Sequence, residues 1–581
     1  MNEIQIKRKL LTQIKECPPH IFRKLGNFRT WSSDKFSVLF AYPNNLEVGL
    51  SSLGLQKLAI EAIKNENFIV DEWFQDYIGN RSVQYKVNPA AFSIIGFSCQ
   101  FELDYKNIVH MLNDVNIPVT SAERNQFRTR GQQLPLIIGG GIAISTNPLP
   151  LVPMMDFIFM FDSIVSISGF LKEYNRLISL DFDLESWWEG YEGEKRGIIP
   201  SFYDGIDGDI KRVFSQENCT PRNDDFQVPD LNPVVITREN REIKQDISLG
   251  TGLYLEVSKG CEMGCRFCAL SQHLRPPRFR TLKEISKVIG KAKNMHENLS
   301  RIILIGSNIT DHPKLNEILN LCRDNNLSFS LPSLKPNMHK SIFNLVKESG
   351  IHTLTIAPET GSDRLRRVIN KRISNDDYFT LVKKMLDANI QKVKIYLLHG
   401  LPTETQDDLD LTVEFIQKIK DIIQSKGGNM EISINPFIPK MGTPFMFHVK
   451  NFKEIAFKKY KKQFKSFLRR LQKTIKRNIR SPSLNATRHQ ALLSIGNIIM
   501  FDHLDNIKNM DENLDDMLDS ITKLKEEDIF PYPYDCIIPV SHDYLKNEWN
   551  RAMRGEISGP CNSLTCIACN YKGCNRWKES V

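Results

Sequence analysis

From Gly252 onward the chain alternates short apolar runs with stretches whose apolar positions recur at helical spacing. The runs Gly252 to Ser258, Arg301 to Gly306, Leu327 to Leu331, His352 to Ala357, Val393 to Leu398 and Met430 to Asn435 predict buried strands. Between them, amphipathic patterns predict helices near Leu282 to Met295, His312 to Asp324, His339 to Glu348, Asp376 to Ala388 and Gln406 to Ile419. Strands that alternate with helices form parallel sheets, so this half predicts an α/β fold, a partial (β/α)6 barrel. Active-site groups of such barrels lie at the C-terminal ends of the strands.

A second alternation occupies residues 1–185, with strands expected at Ser37 to Ala41, Phe92 to Phe97, Leu136 to Ile138 and Phe157 to Met160. It predicts a Rossmann-like domain. Residues 186–246 are loop-rich, with Pro200, Pro221, Pro229 and Pro233, and are expected to link the two halves. The barrel is placed at 247–450, a helical, partly basic extension at 451–530, and a cysteine-rich tail at 531–581. In the extension, Phe457, Tyr460, Phe464, Leu468, Leu471 and Ile475 mark one face of a helix, and Lys and Arg crowd the other. A cationic face can grip nucleic-acid phosphates. No RNA-binding module accompanies it, and a solvated helix packed on the barrel is the favoured reading.

The 581 residues carry a formal net charge of +9, modest for this length. No apolar run approaches the ~18 residues of a membrane span, so no membrane association is expected. Met1 to Lys9 lack a hydrophobic stretch before a cleavage site, so secretion is not expected either. Seven of the twelve cysteines fall in two metal-like spacings, which suits a reducing, cytoplasmic compartment, and Cys17, Cys99, Cys219, Cys322 and Cys536 are isolated thiols.

The chemistry is concentrated in one loop, directly after the first barrel strand. Cys261, Cys265 and Cys268 have the spacing C-x3-C-x2-C, with Phe267 before the last. Three thiolates on a short loop can hold three corners of a 4Fe–4S cubane, leaving the fourth iron open to an outside molecule. A zinc site completed by a distant residue is the alternative, though zinc loops usually pair cysteines differently. A second set, Cys561, Cys566, Cys569 and Cys574 in C-x4-C-x2-C-x4-C, fits either another 4Fe–4S cluster or a structural zinc; the cluster is favoured.

This loop resembles the signature of the radical S-adenosylmethionine (radical SAM) superfamily. Further phrases are similar to one group within it, which has an N-terminal cobalamin-binding-like domain. These are Tyr42-Pro43-Asn44, Glu47-Val48-Gly49-Leu50-Ser51, Ile138-Gly139-Gly140-Gly141, Arg275-Pro276-Pro277-Arg278-Phe279-Arg280, Ile356-Ala357-Pro358-Glu359-Thr360-Gly361-Ser362, Asn370-Lys371 and Gly400-Leu401-Pro402-Thr403-Glu404-Thr405. The resemblance implies reductive cleavage of SAM at a cluster held by Cys261, Cys265 and Cys268. It implies a SAM pocket lined by Phe267, Gly306, Ser307, Asn308, Glu359, Gly400, Leu401 and Pro402, with Glu359 at a ribose hydroxyl and Gly400 close to the adenine. A ferredoxin or flavodoxin would supply the electron, and the substrate is not given.

Cobalamin is less clearly implied. Before Cys261 only His20 and His110 occur, and neither sits in the D-x-H-x-x-G pattern that ligates cobalt from below. Phe161-Asp162-Ser163-Ile164 also replaces an acidic glycine turn common in similar sequences. The turns Gly96-Phe97-Ser98 and Gly139-Gly140-Gly141 could still receive a nucleotide or corrin tail. With cobalamin the expected reaction is methyl transfer. The alternatives are a tRNA methylthiotransferase-like enzyme and a non-catalytic iron–sulfur scaffold. Tyr396, His273 and His399 are candidates for a hydrogen or proton donor, with a structural role the equal alternative for each.

Overall fold

In the computed structural model, the described residues are Trp31, 35–160, 163–178, 197–198, 232–236, 247–448, 458–475, 479–504 and 540–561, apart from single positions 78, 276, 332, 333, 337 and 497. The chain divides into two compact units, Met1–Leu253 with Gly496–Glu512 and Pro531–Ile537, and Tyr254–Ile495 with Asn513–Phe530 and Ile538–Val581.

The first unit is built on β1 (Phe36–Tyr42), β2 (Phe68–Phe74), β3 (Ile94–Ser98), β4 (Leu136–Gly140), β5 (Phe157–Phe159) and β6 (Gly197–Ile198), in the order β2-β1-β3-β4-β5-β6. β1 to β5 are parallel, and β6 runs antiparallel to β5. The strand order reverses between β1 and β3, the crevice where open α/β sheets bind ligands. One core of Val38, Phe40, Phe68, Val70, Phe74, Ile138 and Phe157 joins the sheet to the helices Leu53–Ile63 and Ser163–Ile178.

β2 escaped the sequence reading because Asp71 and Glu72 interrupt its apolar run. The structure buries both. Asp71 accepts the backbone N–H groups of Glu72, Gln84 and Tyr85 at 2.8–2.9 Å, and Gln56 Nε2 donates to Glu72 Oε1 at 2.8 Å. Burial and the neighbouring Asp71 push the Glu72 carboxyl up to about 8. The folded protein therefore keeps a proton that the unfolded chain releases near pH 4–5, so stability falls as pH rises from there toward about 8. Glu72→Gln should remove that slope, raising the melting temperature at pH 8 more than at pH 5. A shift independent of pH would contradict the assignment.

The second unit contains the six strands predicted for the barrel. They are β8 (Gly252–Lys259), β10 (Arg301–Gly306), β11 (Ser328–Ser330), β12 (Thr353–Glu359), β13 (Lys392–His399) and β14 (Asn429–Pro436); β7 (Val234–Ile236) falls within the residues of the first unit, and β9 (Arg278–Phe279) pairs antiparallel with the end of β8. Among the described residues they form two ladders, β11-β10-β8 and the parallel β12-β13-β14, rather than one continuous sheet. β11 ends at Ser330, just before Pro332, which has no N–H to extend a ladder.

Helices occupy the predicted gaps. Leu282–Met295 and Gln406–Ser425 start with reciprocal capping boxes at Thr281/Glu284 and Thr405/Asp408. The basic helix spans Lys458–Ile475. Tyr460, Phe464, Phe467, Leu471 and Ile475 are its buried face; Phe467 takes the place expected of Leu468, which is half-buried. Phe457 lies outside the described residues, as do Lys453 to Glu454. Lys461, Lys462, Lys465, Arg469 and Lys473 are exposed on the other side.

Candidate functional site

The cysteine loop begins where β8 ends and is shaped by backbone that only small or polar residues tolerate. Gly260 has φ +70, and a Cβ there would stand 2.2 Å from the Leu274 carbonyl oxygen. Gly264 also has positive φ. Ser271 Oγ lies 3.1 Å from the Cys265 carbonyl and 2.9 Å from that of Cys268, tying the turn from below. Asn370 Nδ2 donates to the Gly264 carbonyl at 3.1 Å.

All three thiols are free, and each senses the others electrostatically: Cys261 senses Cys265, Cys265 senses Cys268, and Cys268 senses Cys261. Burial pushes Cys261 and Cys265 up to about 11 and raises Cys268 as well. Such thiols stay protonated and inert until a metal displaces their protons. Among the described residues no three His, Cys, Asp or Glu side chains converge on a single-ion site. Three free thiols on one strand-end loop, each within electrostatic reach of another, are a donor set that fits a 4Fe–4S cluster with one open iron.

Two buried or half-buried ion pairs flank the loop, one from each ladder. After β10, Asn308 donates to Asp311, which pairs with Lys335 beyond β11. After β12, Glu359 Oε1 meets Lys371 Nζ at 2.8 Å. Lys335 and Asp311 act on Cys261, while Lys371, Glu359 and Lys335 act on Cys265. Burial is the largest influence and works against the Lys371 ammonium, but Glu359, Tyr378 and Cys265 together outweigh it and hold its pKa above the ordinary lysine value. Glu359 itself has φ +65, a left-handed conformation rare for a residue with a Cβ. The turn is held by helix Gln406–Ser425, where Gly361 N donates to Thr412 Oγ1 at 2.9 Å and Ser362 Oγ to Asp408 Oδ1 at 2.5 Å.

The other expected SAM-pocket positions fall on the same strand ends. Gly306 closes β10, and a Cβ on it would strike Ser258 Oγ, so this glycine lets β10 approach β8. Ser307 follows it and Asn308 is buried. Gly400 follows β13 with φ +85, and the space its Cβ would need is filled by the Tyr460 ring. Gly400 is thus explained by packing on that side. Its N–H donates to Glu404 Oε2 at 2.7 Å. Leu401 and Phe267 pack into one cluster with Leu365, Val368, Ile369, Phe437 and Phe445. Pro402 is buried beside Leu401.

The three candidate donors separate. His273 is buried with Nε2 at 3.0 Å from the Met441 carbonyl, and burial pulls its pKa down to about 4. His399 stacks on Tyr460 and Phe464, and its Nδ1 lies 2.7 Å from Glu404 Oε2 without hydrogen-bond alignment. Both are parts of the framework. Tyr396 instead lies in the central strand of its ladder and is 42 % exposed, on the same strand face as half-buried Leu398.

In the first unit, His110 is exposed on helix Tyr105–Asp114. The glycines proposed to receive a corrin tail are filled by the protein itself. A Cβ on Gly96 would meet Ile138 and Phe40, on Gly139 Met155 and Ile144, and on Gly141 the Cys99 carbonyl at 2.2 Å. At the β1/β3 crevice, Asn44 donates to Asp104 and Phe101 is exposed.

Of the second cysteine set, Cys561 is buried and its N–H donates to the Glu262 carbonyl at 2.8 Å. Cys566, Cys569 and Cys574 lie outside the described residues, as do Cys17, Cys219, Cys536 and His20. The sequence reading passed over Arg266, Glu548 and Ser558. The one available signal was an arginine inside the cysteine loop, and its partners are up to 292 residues away.

Residues 255–416 match the family described as the radical SAM superfamily, and residues 71–182 the one described as radical SAM proteins, N-terminal. A protein of Methanocaldococcus jannaschii described as uncharacterized is 26% identical over 480 residues, covering 81% of this chain and 91% of its own length. The tRNA-2-methylthio-N(6)-dimethylallyladenosine synthase of Anaplasma phagocytophilum is 22% identical over 36% of this chain, which spans 49% of that enzyme. Among solved structures, the radical SAM methyltransferase TsrM of Kitasatospora setae aligns over 82% of this chain and 99% of its own, with 12% identity and a TM-score of 0.47.

Proposed function

From a chain that is a radical SAM enzyme by its 255–416 domain, we propose the following assignment of work to its residues. Cys261, Cys265 and Cys268 hold a 4Fe–4S cluster, and the strand-end turns at Gly306–Asn308, Glu359 and Gly400–Pro402 hold SAM beside it. With both bound, one-electron reduction of the sulfonium supplies methionine and a 5′-deoxyadenosyl radical able to take a hydrogen atom from an unreactive carbon. The observation that carries this reading is a set of three free, partly buried thiols on one strand-end loop, each within electrostatic reach of another.

The protein's own part is positioning and exclusion of water. Phe267 and Leu398 pack against the apolar cluster beside the loop, and Tyr396 follows on the open face of the same strand. In this reading exposed Tyr396 is the residue assigned to the substrate, and buried His273 and His399 are assigned to the framework. Protein purified without oxygen and reconstituted with iron and sulfide should form 5′-deoxyadenosine from SAM when reduced. Absence of 5′-deoxyadenosine and of any methylated product would reject the proposal.

Cobalamin-dependent methyl transfer is the second reading. The reversal of strand order between β1 and β3, with Phe101 exposed at its end, supports it. Corrin absorbance in protein made in cobalamin-supplemented cells would favour it, and Phe101→Ala should then weaken retention.

A further inference from the structure

Arg266 is fully buried between Cys265 and Phe267, an unusual place for an arginine unless it holds something fixed. Its guanidinium reaches four acceptors. Nη1 donates to the Arg367 and Val368 carbonyls at 3.1 and 3.0 Å, Nε to Glu548 Oε2 at 3.0 Å, and Nη2 to Ser558 Oγ at 3.0 Å. The two carbonyls belong to the end of helix Asp363–Val368, where backbone acceptors lack helical partners and a cation is favoured. Glu548 lies on helix His542–Met553, and its two oxygens stand 2.7 and 2.8 Å from Ser558 Oγ.

The same C-terminal segment grips the loop at every second residue between its first and last cysteines. Cys561 N–H donates to the Glu262 carbonyl. Ser558 N–H donates to Asn370 Oδ1 at 3.0 Å, and the Asn370 amide in turn donates to the Gly264 carbonyl. Arg266 completes the series. A side chain needed only to fill space could be apolar, but a planar five-donor fork fixes direction as well as position.

We infer that Arg266 is a positioning residue, which locks the C-terminal segment 540–561 onto the cysteine loop and so sets the thiols in their cluster-binding arrangement. The inference rests on the cluster reading for its redox consequences, while the mechanical coupling can be measured without a cluster. The segment thereby becomes part of the cluster site, although it lies nearly 300 residues from it.

The test uses the full chain with Arg266→Lys, which keeps charge but loses the fork, and the milder Ser558→Ala, which leaves both ions in place. In the metal-free protein, backbone amide exchange should rise together in 261–268 and 554–561 in both variants, while circular dichroism stays unchanged. After anaerobic reconstitution, both should still take up iron. The electron paramagnetic resonance signal of the reduced cluster should change shape, and SAM should perturb it with affinity weakened about tenfold or more. Wild-type exchange, signal and SAM titration in both variants would overturn the inference and leave Arg266 a packing group. If Arg266→Lys fails to fold, Ser558→Ala decides alone. A wild-type protein that builds no cluster would sink the proposed function, and coupled exchange would still uphold the clamp.

Discussion

Cys265→Ala is expected to abolish cluster assembly and reduce SAM cleavage to background, while Cys322→Ala leaves both intact. Both cysteines are shielded and carry raised thiol pKa values, about 11 for Cys265 and about 12 for Cys322. Burial alone therefore does not distinguish them. What differs is company. Cys265 senses Cys268 and two lysines across a strand-end loop, whereas Cys322 sits inside helix Leu315–Asp324 among apolar neighbours. Its loss should cost roughly 1 kcal/mol of stability, the scale of one methyl-sized cavity. Iron and sulfide content after reconstitution checks both halves. Because ligation requires thiolates and these thiols are held protonated, cluster assembly in the wild type should release protons and proceed further at pH 9 than at pH 7.

The second large effect is expected at the Lys371–Glu359 pair. Both side chains are largely shielded, and Lys371 also donates to the Ala357 carbonyl. Removing one partner strands a buried charge, so Lys371→Met and Glu359→Gln should each destabilise by about 3–5 kcal/mol. The double variant should recover much of the loss, since neither charge is then left alone. Thermal unfolding of the four proteins gives the cycle, and strictly additive losses would show that the pair is not coupled. Lys371→Met carries a second consequence. The ammonium is the strongest electrostatic influence of any side chain on Cys265, and a cation there favours adding an electron to a cluster. The midpoint potential should therefore become more negative, and Arg at 371 should restore it more closely than Met.

The two effects separate ligand from support. Cysteine loss removes a donor, which no repacking replaces. Lysine loss retains the donors and changes the field around them, so iron should still bind. A Lys371→Met protein without any cluster would mean that the ion pair shapes the loop rather than tuning it.

Sequence patterning located all six barrel strands because each carries a run of apolar residues on at least one buried face. It located the cysteine loop because three ligands of one cluster can be local in sequence. β2 was hidden, since Asp71 and Glu72 look like surface charges until a turn more than ten residues away supplies their hydrogen bonds. The glycines were visible, but not their reasons. Gly141 looked like an opening for a cofactor, and the Cys99 carbonyl fills the space; at Gly400, Tyr460 fills the side a Cβ would occupy.

The sequence by itself determined the alternating elements, the thiol donors and the strand-end position of their loop, because these depend on residue type, local spacing and chain order. Only the tertiary structure decided which charges pair around those donors, which of Tyr396, His273 and His399 is left open, and that Glu548, Ser558 and Cys561 reach back to the loop. Those outcomes arise from contacts between distant segments, and burial sets their energies once the chain has closed on itself.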